Sequence, residues 1–233
     1  MHSKLVLMYI ALSSPLMLAG CMTGPAIPVS STQLGYRSED ILLSYDAPKR
    51  PMIRIDRFED KRAERQRKGE QPEGHFMLLY SWREGAVVTG DEAWAGSGGE
   101  SGVSGAVTST LGEAIRASNF FAQTTVGSKA GVPGGNGYIL IGDIQSLYAE
   151  QDYSYSGMFL LLFWDSSKSY GNPVGHCKLN YTLLDAATNR PLLHGSVEAE
   201  ASHDSLSESG AAALALAETR LTNDLTKFLK SEK

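Results

Sequence analysis

The sequence predicts an α+β fold: a mixed, largely antiparallel sheet with two amphipathic helices packed on one face. Three observations carry this. Val103, Ala106, Val107, Thr110, Leu111, Ala114 and Ile115 recur at helical spacing and form one apolar stripe. Ala213, Leu214, Ala217, Leu221, Leu225 and Phe228 do the same near the C-terminus. Between them, Lys178–Leu184 and Leu193–Ala201 alternate apolar and polar residues on either side of the turn-rich "DAATNRP", the pattern of an antiparallel hairpin with one covered face. Two helical stripes and a half-covered sheet bury each other as layers.

The chain begins with a targeting segment. Lys4 is followed by the apolar run Leu5–Leu12, and Leu16–Leu18 resume after Ser13, Ser14 and Pro15. The run is too short and broken to span a bilayer as a mature helix and suits a secretory signal with a small-residue cleavage site. Leu18-Ala19-Gly20-Cys21 resembles the lipobox of bacterial lipoproteins. The resemblance implies cleavage between Gly20 and Cys21, acylation of the Cys21 sulfur and of the new amino end, and hence palmitate-type chains holding the protein to a membrane. Several acyl chains anchor stably where one alone is marginal. Met22 follows the cysteine, with no Asp there, which by the same resemblance directs the protein to the periplasmic face of the bacterial outer membrane.

Residues 1–20 are thus the expected signal, 21–40 a lipidated cysteine and flexible tether, and 41–233 a single periplasmic domain. A lipidated Cys21 leaves Cys177 without an intramolecular partner, so the fold is held by its core rather than by a disulfide. The 213 residues from Cys21 to Lys233 suffice for one. The formal charge is −5, or −6 once Lys4 is removed with the signal (20 Lys+Arg against 26 Asp+Glu). This mildly acidic balance argues against nucleic acid as a partner.

Along the domain, Ile41–Tyr45 is a candidate edge strand and Met52–Phe58 a strand. Glu59–Gly74, "EDKRAERQRKGEQPEG", reads as a solvated loop, or alternatively as a mobile partner-binding loop, and it opens a polar, glycine-rich insertion over about 59–102. Phe76–Tyr80 and Ala86–Thr89 pattern as a hairpin turning at Trp82–Gly85. "GSGGESGVSG" precedes the first helix without the spacing or the Lys-Ser/Thr of a phosphate loop, and reads as a connection. A short strand near Phe121–Val126, a glycine-rich loop and a long central strand over Tyr138–Glu150 follow. Ser205 or Ser207 is placed to cap the last helix, with Glu208 in its first turn where the dipole favours an anion.

"IRIDRFEDKR", the helix exit "LGEAIRASNFF", the strand "GYILIGDIQSLYAE", the "DAATNRP" hairpin and the last amphipathic helix together resemble the YajG-type lipoproteins. They are similar also to a broader group: ABC-transport auxiliary lipoproteins, the curli-secretion lipoprotein, the lipoprotein activator of penicillin-binding proteins and the TolB amino-terminal domain. The resemblance covers roughly Met52–Leu229. It implies an α+β domain at the inner face of the outer membrane that acts through protein contacts. The Glu59–Gly102 insertion and Asn189-Arg190 at the hairpin turn depart from that pattern.

No residue pattern calls for catalysis, a metal or a cofactor. His75, His176, His194 and His203 lack ligand spacing; there is no CxxC, HExxH or GxSxG. Glu198 and Glu200 share a strand face near Lys178 and read as surface charges. "GMFLLLFWD" stands apart as the most apolar stretch after the signal. Met158, Phe159, Leu160, Leu161, Leu162, Phe163 and Trp164 form either a buried central strand or an exposed contact with a partner or membrane. With seven apolar residues the stretch is too short to span as a helix. The expected function is therefore a non-enzymatic binding or accessory module for an envelope machine, with an envelope protein as partner. The alternative is a ring-forming secretion or transport scaffold in which Met158–Trp164 faces the membrane or a second copy of the chain.

Overall fold

The structure is a computed structural model. It describes residues 50–77, 80–91, 102–127, 137–160 and 163–231, with 159, 160, 163 and 164 described in backbone only. The signal, Cys21, the tether and Ile41–Tyr45 lie outside the described residues.

Among the described residues, nine strands and three helices follow in the order β1 (Met52–Ile55), β2 (Glu59–Asp60), α1 (Glu64–Lys68), β3 (Gly74–Met77), β4 (Tyr80–Val88), α2 (Gly102–Ser118), β5 (Gln123–Val126), β6 (Gly137–Leu160), β7 (Phe163–Tyr170), β8 (Val174–Asp185), β9 (Pro191–Ser202) and α3 (Leu206–Ser231). They build an α+β fold around one mixed sheet. β1 runs parallel to both β5 and β6, while β6–β8 and β8–β9 are antiparallel.

The 24-residue β6 organises the molecule. Its first half lies between β1 and β8. Its second half leaves that core sheet, with β4 on one side and β7 on the other. A register shift between Ile144 and Ser146 explains why its sequence does not alternate cleanly. The extra residue of a bulge places Ile144 and Leu147, three apart, on the same buried face.

Both long helices cover that face. Val103, Val107, Leu111 and Ile115 of α2 and Ala213, Leu214, Ala217, Leu221 and Leu225 of α3 pack with Ile53, Ile55, Leu140, Leu179 and Leu183. Full burial of each Leu or Ile contributes about 1.5–3 kcal/mol. α3 begins at a Ser205 cap: the Glu208 amide donates to Ser205 Oγ at 3.2 Å, and the same hydroxyl donates to Glu208 Oε2 at 3.0 Å. Gly175 lets this helix start close to β8, since a Cβ there would stand 2.0 Å from the Ser209 carbonyl oxygen.

The opposite face is polar. Lys178 pairs with Glu198 at 3.2 Å, and His176 lies 3.2 Å from Glu200 and 3.4 Å from Glu150. The open edge of β9 is blunted by Pro191 and by Arg220 of α3, which donates to the Glu198 carbonyl.

Two local expectations are corrected. Residues 59–74 are not a free solvated loop: they hold β2 and α1, and Arg62 is buried. The hairpin turn does not fall at Trp82–Gly85. Those residues lie inside β4, opposite Gly85↔Tyr153 through Trp82↔Ser156 of β6, and the chain turns between Met77 and Tyr80.

Candidate interaction arm

Four strands make an arm that extends beyond the core: β3, β4, the end of β6, and β7. From Glu150 to Leu160 it is roughly 30 Å long at strand rise. Every residue of β3 is exposed, as are Asp165–Tyr170 of β7, and β4 buries only Val88. No helix covers either face of its outer part among the described residues. A ribbon of this kind has the hydrogen-bonded ladders of a sheet but no core of its own.

The register defines its two faces, because directly opposed residues point the same way. On one face lie His75 opposite Trp82, Met77 opposite Tyr80, and Tyr80 opposite Met158. His75 and Tyr80 both stack on Trp82, at ring separations of 5.2 and 5.4 Å. On the other face Tyr153 packs against Tyr170 at 5.2 Å, and Tyr155 stands between Arg83 and Lys168. Aromatic pairs of this kind contribute about 0.5–1.5 kcal/mol each, which stiffens the ribbon without giving it an interior.

The end of the arm is apolar. Phe76 is 70% exposed, Met77 65% and Met158 44%. Two hairpins meet there. β3 and β4 are joined by Leu78-Leu79, β6 and β7 by Leu161-Leu162; these four residues lie outside the described ones.

The root is fixed to the core. The Arg62 guanidinium binds both Asp60 oxygens at 2.9 and 2.8 Å, Asp91 at 2.6 Å and the Leu147 carbonyl at 3.2 Å. Asp91 follows β4 and Leu147 lies on β6, so one buried cation ties the arm's two main strands to β2. Burial pushes the Asp60 carboxyl up, but the Arg62 hydrogen bonds and charge outweigh this and hold it below the ordinary range. The Thr89 amide adds a bond to the Ala149 carbonyl, and Thr89 Oγ1 accepts from the Ala149 amide.

Of the seven residues singled out in the sequence, Leu161 and Leu162 lie outside the described residues and the other five fall at the arm's end. Met158 is exposed on β6; Phe159 and Leu160 end β6, and Phe163 and Trp164 begin β7. They do not form a central strand of the core sheet. Gly20 and Cys21 lie outside the described residues. Sequence reading missed the second half of this site, Phe76, Met77 and Tyr80. Its signal was present: "FMLLY" has the same apolar composition around a Leu-Leu pair as "MFLLLFW".

Among the described residues no group of three His, Cys, Asp or Glu is placed to hold a metal, and no helix is long and apolar enough to cross a membrane. The buried polar groups belong to the core. Glu218 accepts from Thr110 Oγ1 at 2.5 Å between α3 and α2. Cys177 is free and buried, its thiol pushed up by burial and by the nearby Glu218.

No family model matches the chain, and no curated protein matches it. Among solved structures the chain is similar to a Xanthomonas campestris protein of the DUF330 family, at 14% identity over 82% of this chain and 95% of that one, with a TM-score of 0.42. It is similar also to the PelC dodecamer of Paraburkholderia phytofirmans, at 10% identity over 80% and 93%, with a TM-score of 0.37. A third is lipoprotein GNA1162 of Neisseria meningitidis, at 11% identity over 76% and 99%, with a TM-score of 0.32.

Proposed function

We propose that this chain is a lipid-anchored, non-enzymatic protein of the bacterial envelope, held at the periplasmic face of the outer membrane through Cys21, and that its arm is the element by which it serves an envelope machine. The arm carries the reading. A ribbon with two open faces and apolar side chains exposed at its end is built at a cost in hydration that a contact offsets. The lipobox-like Leu18–Cys21 and the resemblance to YajG-type lipoproteins support the anchoring and the compartment. Two experiments test it. Cys21→Ser is expected to abolish palmitate labelling and release the protein from the membrane fraction. Met77→Asp/Met158→Asp is expected to leave anchoring intact and remove the protein's contacts in the envelope; unchanged contacts would refute the role given to the arm.

The second reading is self-assembly into a ring. One observation favours it: the outer edges of β3 and β7 have no strand partner among the described residues.

A further inference from the structure

The two faces of the arm carry opposite charge. Strand alternation puts Arg83 of β4 and Lys168 of β7 on the face of Tyr153 and Tyr155, with Tyr155 directly between them. It puts Glu84 of β4, Asp152 of β6 and Asp165 of β7 on the face of Trp82, Tyr80 and Met158. All five side chains are exposed, and none has an ion-pair partner among the described residues. Each face is thus aromatic and singly signed, and the two are complementary.

We propose that the arms of two copies of this chain stack face to face, the cationic face of one on the anionic face of the next. This rests on the reading of the arm as the contact element and names its partner. The charges sit on matching strands: β4 supplies Arg83 to one face and Glu84 to the other, β7 supplies Lys168 and Asp165. Stacking β4 on β4 at the usual sheet spacing of about 10 Å brings Arg83 of one copy over Glu84 of its neighbour. Three strands of some eight residues and the four-residue β3, about 4.8 Å apart, present roughly 450 Å² per face. One contact then buries about 900 Å² over both partners, the size of a weak interface. A lipid anchor that confines the copies to one surface raises their effective concentration.

A lipid surface fits this face less well. Asp165 stands directly opposite Met158, so sinking Met158 into hydrocarbon takes a carboxylate with it, which the hydrocarbon disfavours. Pairing through edges fits less well too. β3 offers only four residues, and the β7 edge carries Lys168, a residue type that protects edges. The contact is heterologous, since each face meets its opposite. The core is thickened by α2 and α3 and the arm is not, so stacked arms tilt each copy against the next. Repeated contacts of this kind build a ring if the rotation closes and an open filament if it does not.

The test is the mass of the full chain in mild detergent, by light scattering behind a sizing column. Wild type is expected to assemble, with a mass at least about twice that of a protomer. Arg83→Glu/Lys168→Glu leaves two anionic faces and Glu84→Lys/Asp165→Lys leaves two that are cationic or neutralised. Each variant alone is expected to run as a folded monomer with a cooperative melt, and an equimolar mixture of the two is expected to reassemble. High salt is expected to weaken the mixture. Three results would overturn the inference: a monomeric wild type at every concentration, charge variants that keep the wild-type mass, or variants that fall apart and do not recover on mixing. None of these touches the arm's role toward other envelope partners, which the Met77→Asp/Met158→Asp variant tests separately.

Discussion

Tyr80 of β4 stands directly opposite Met158 of β6. Through this pair two hairpins far apart in sequence end side by side, and two apolar segments become one exposed surface. The relation also explains why Met158 is not in the core. β6 continues past the sheet it helps to build, and the helices do not follow it.

Substitutions on this surface separate folding from contact. Met77→Asp/Met158→Asp removes no buried group, so the expected change in stability is within about 0.5 kcal/mol per site. A thermal melt followed by circular dichroism checks this. A collapse of folding would mean that the arm's end is part of the core.

The arm's root behaves differently. Arg62→Met leaves Asp60 and Asp91 facing each other without their cation and is expected to cost about 3 kcal/mol, the low end for breaking a buried pair because both carboxylates keep some water. Urea denaturation of wild type and variant measures it.

The same pair sets part of the acid sensitivity. Asp60 is held below its ordinary value in the folded chain. Its contribution is therefore fully present above the unfolded carboxylate pKa of about 3.9 and is lost as pH falls through the lower folded value. Unfolding free energy measured against pH should fall less steeply below about pH 4 in Arg62→Met than in wild type. Parallel curves would show that the pair does not carry this dependence.

Gly175→Ala places a methyl group against the Ser209 carbonyl and the Gly210 amide, 2.0 and 2.6 Å away. The helix start must shift, at an expected cost of about 1–3 kcal/mol. A Gly175→Ala protein as stable as wild type would show that α3 starts with room to spare.

Cys177 is buried with its thiol pushed well up, and reactivity requires an exposed thiolate. A maleimide reagent is expected to leave the native protein unlabelled at Cys177 and to label it once unfolded; fast native labelling would contradict the packing described.

Much of the core was legible because its signals are periodic. The α2 and α3 stripes and the β8–β9 alternation each repeat often enough to set a face, and most of the side chains they nominate are buried together. The bulge after Ile144 was not legible, since one inserted residue breaks the alternation that reading depends on. The arm was half legible. "GMFLLLFWD" stands out by composition, whereas Phe76–Tyr80 becomes its neighbour only through a strand pairing some eighty residues away, which no local pattern encodes. Arg62 was read as one more charge in a polar run, because its burial depends on carboxylates that β2 and the end of β4 bring to it.

The most direct measurement is site-specific photocrosslinking in cells that make the full, lipidated chain. A crosslinker at Met158 is expected to give discrete protein adducts, as is one at Tyr80, while a control at the exposed Asp204 gives none. Adducts made of the chain itself would add support for arm-to-arm stacking. If Met158 and Tyr80 give no adduct under conditions where a known envelope contact does, the arm is not the working surface of this protein and the account fails.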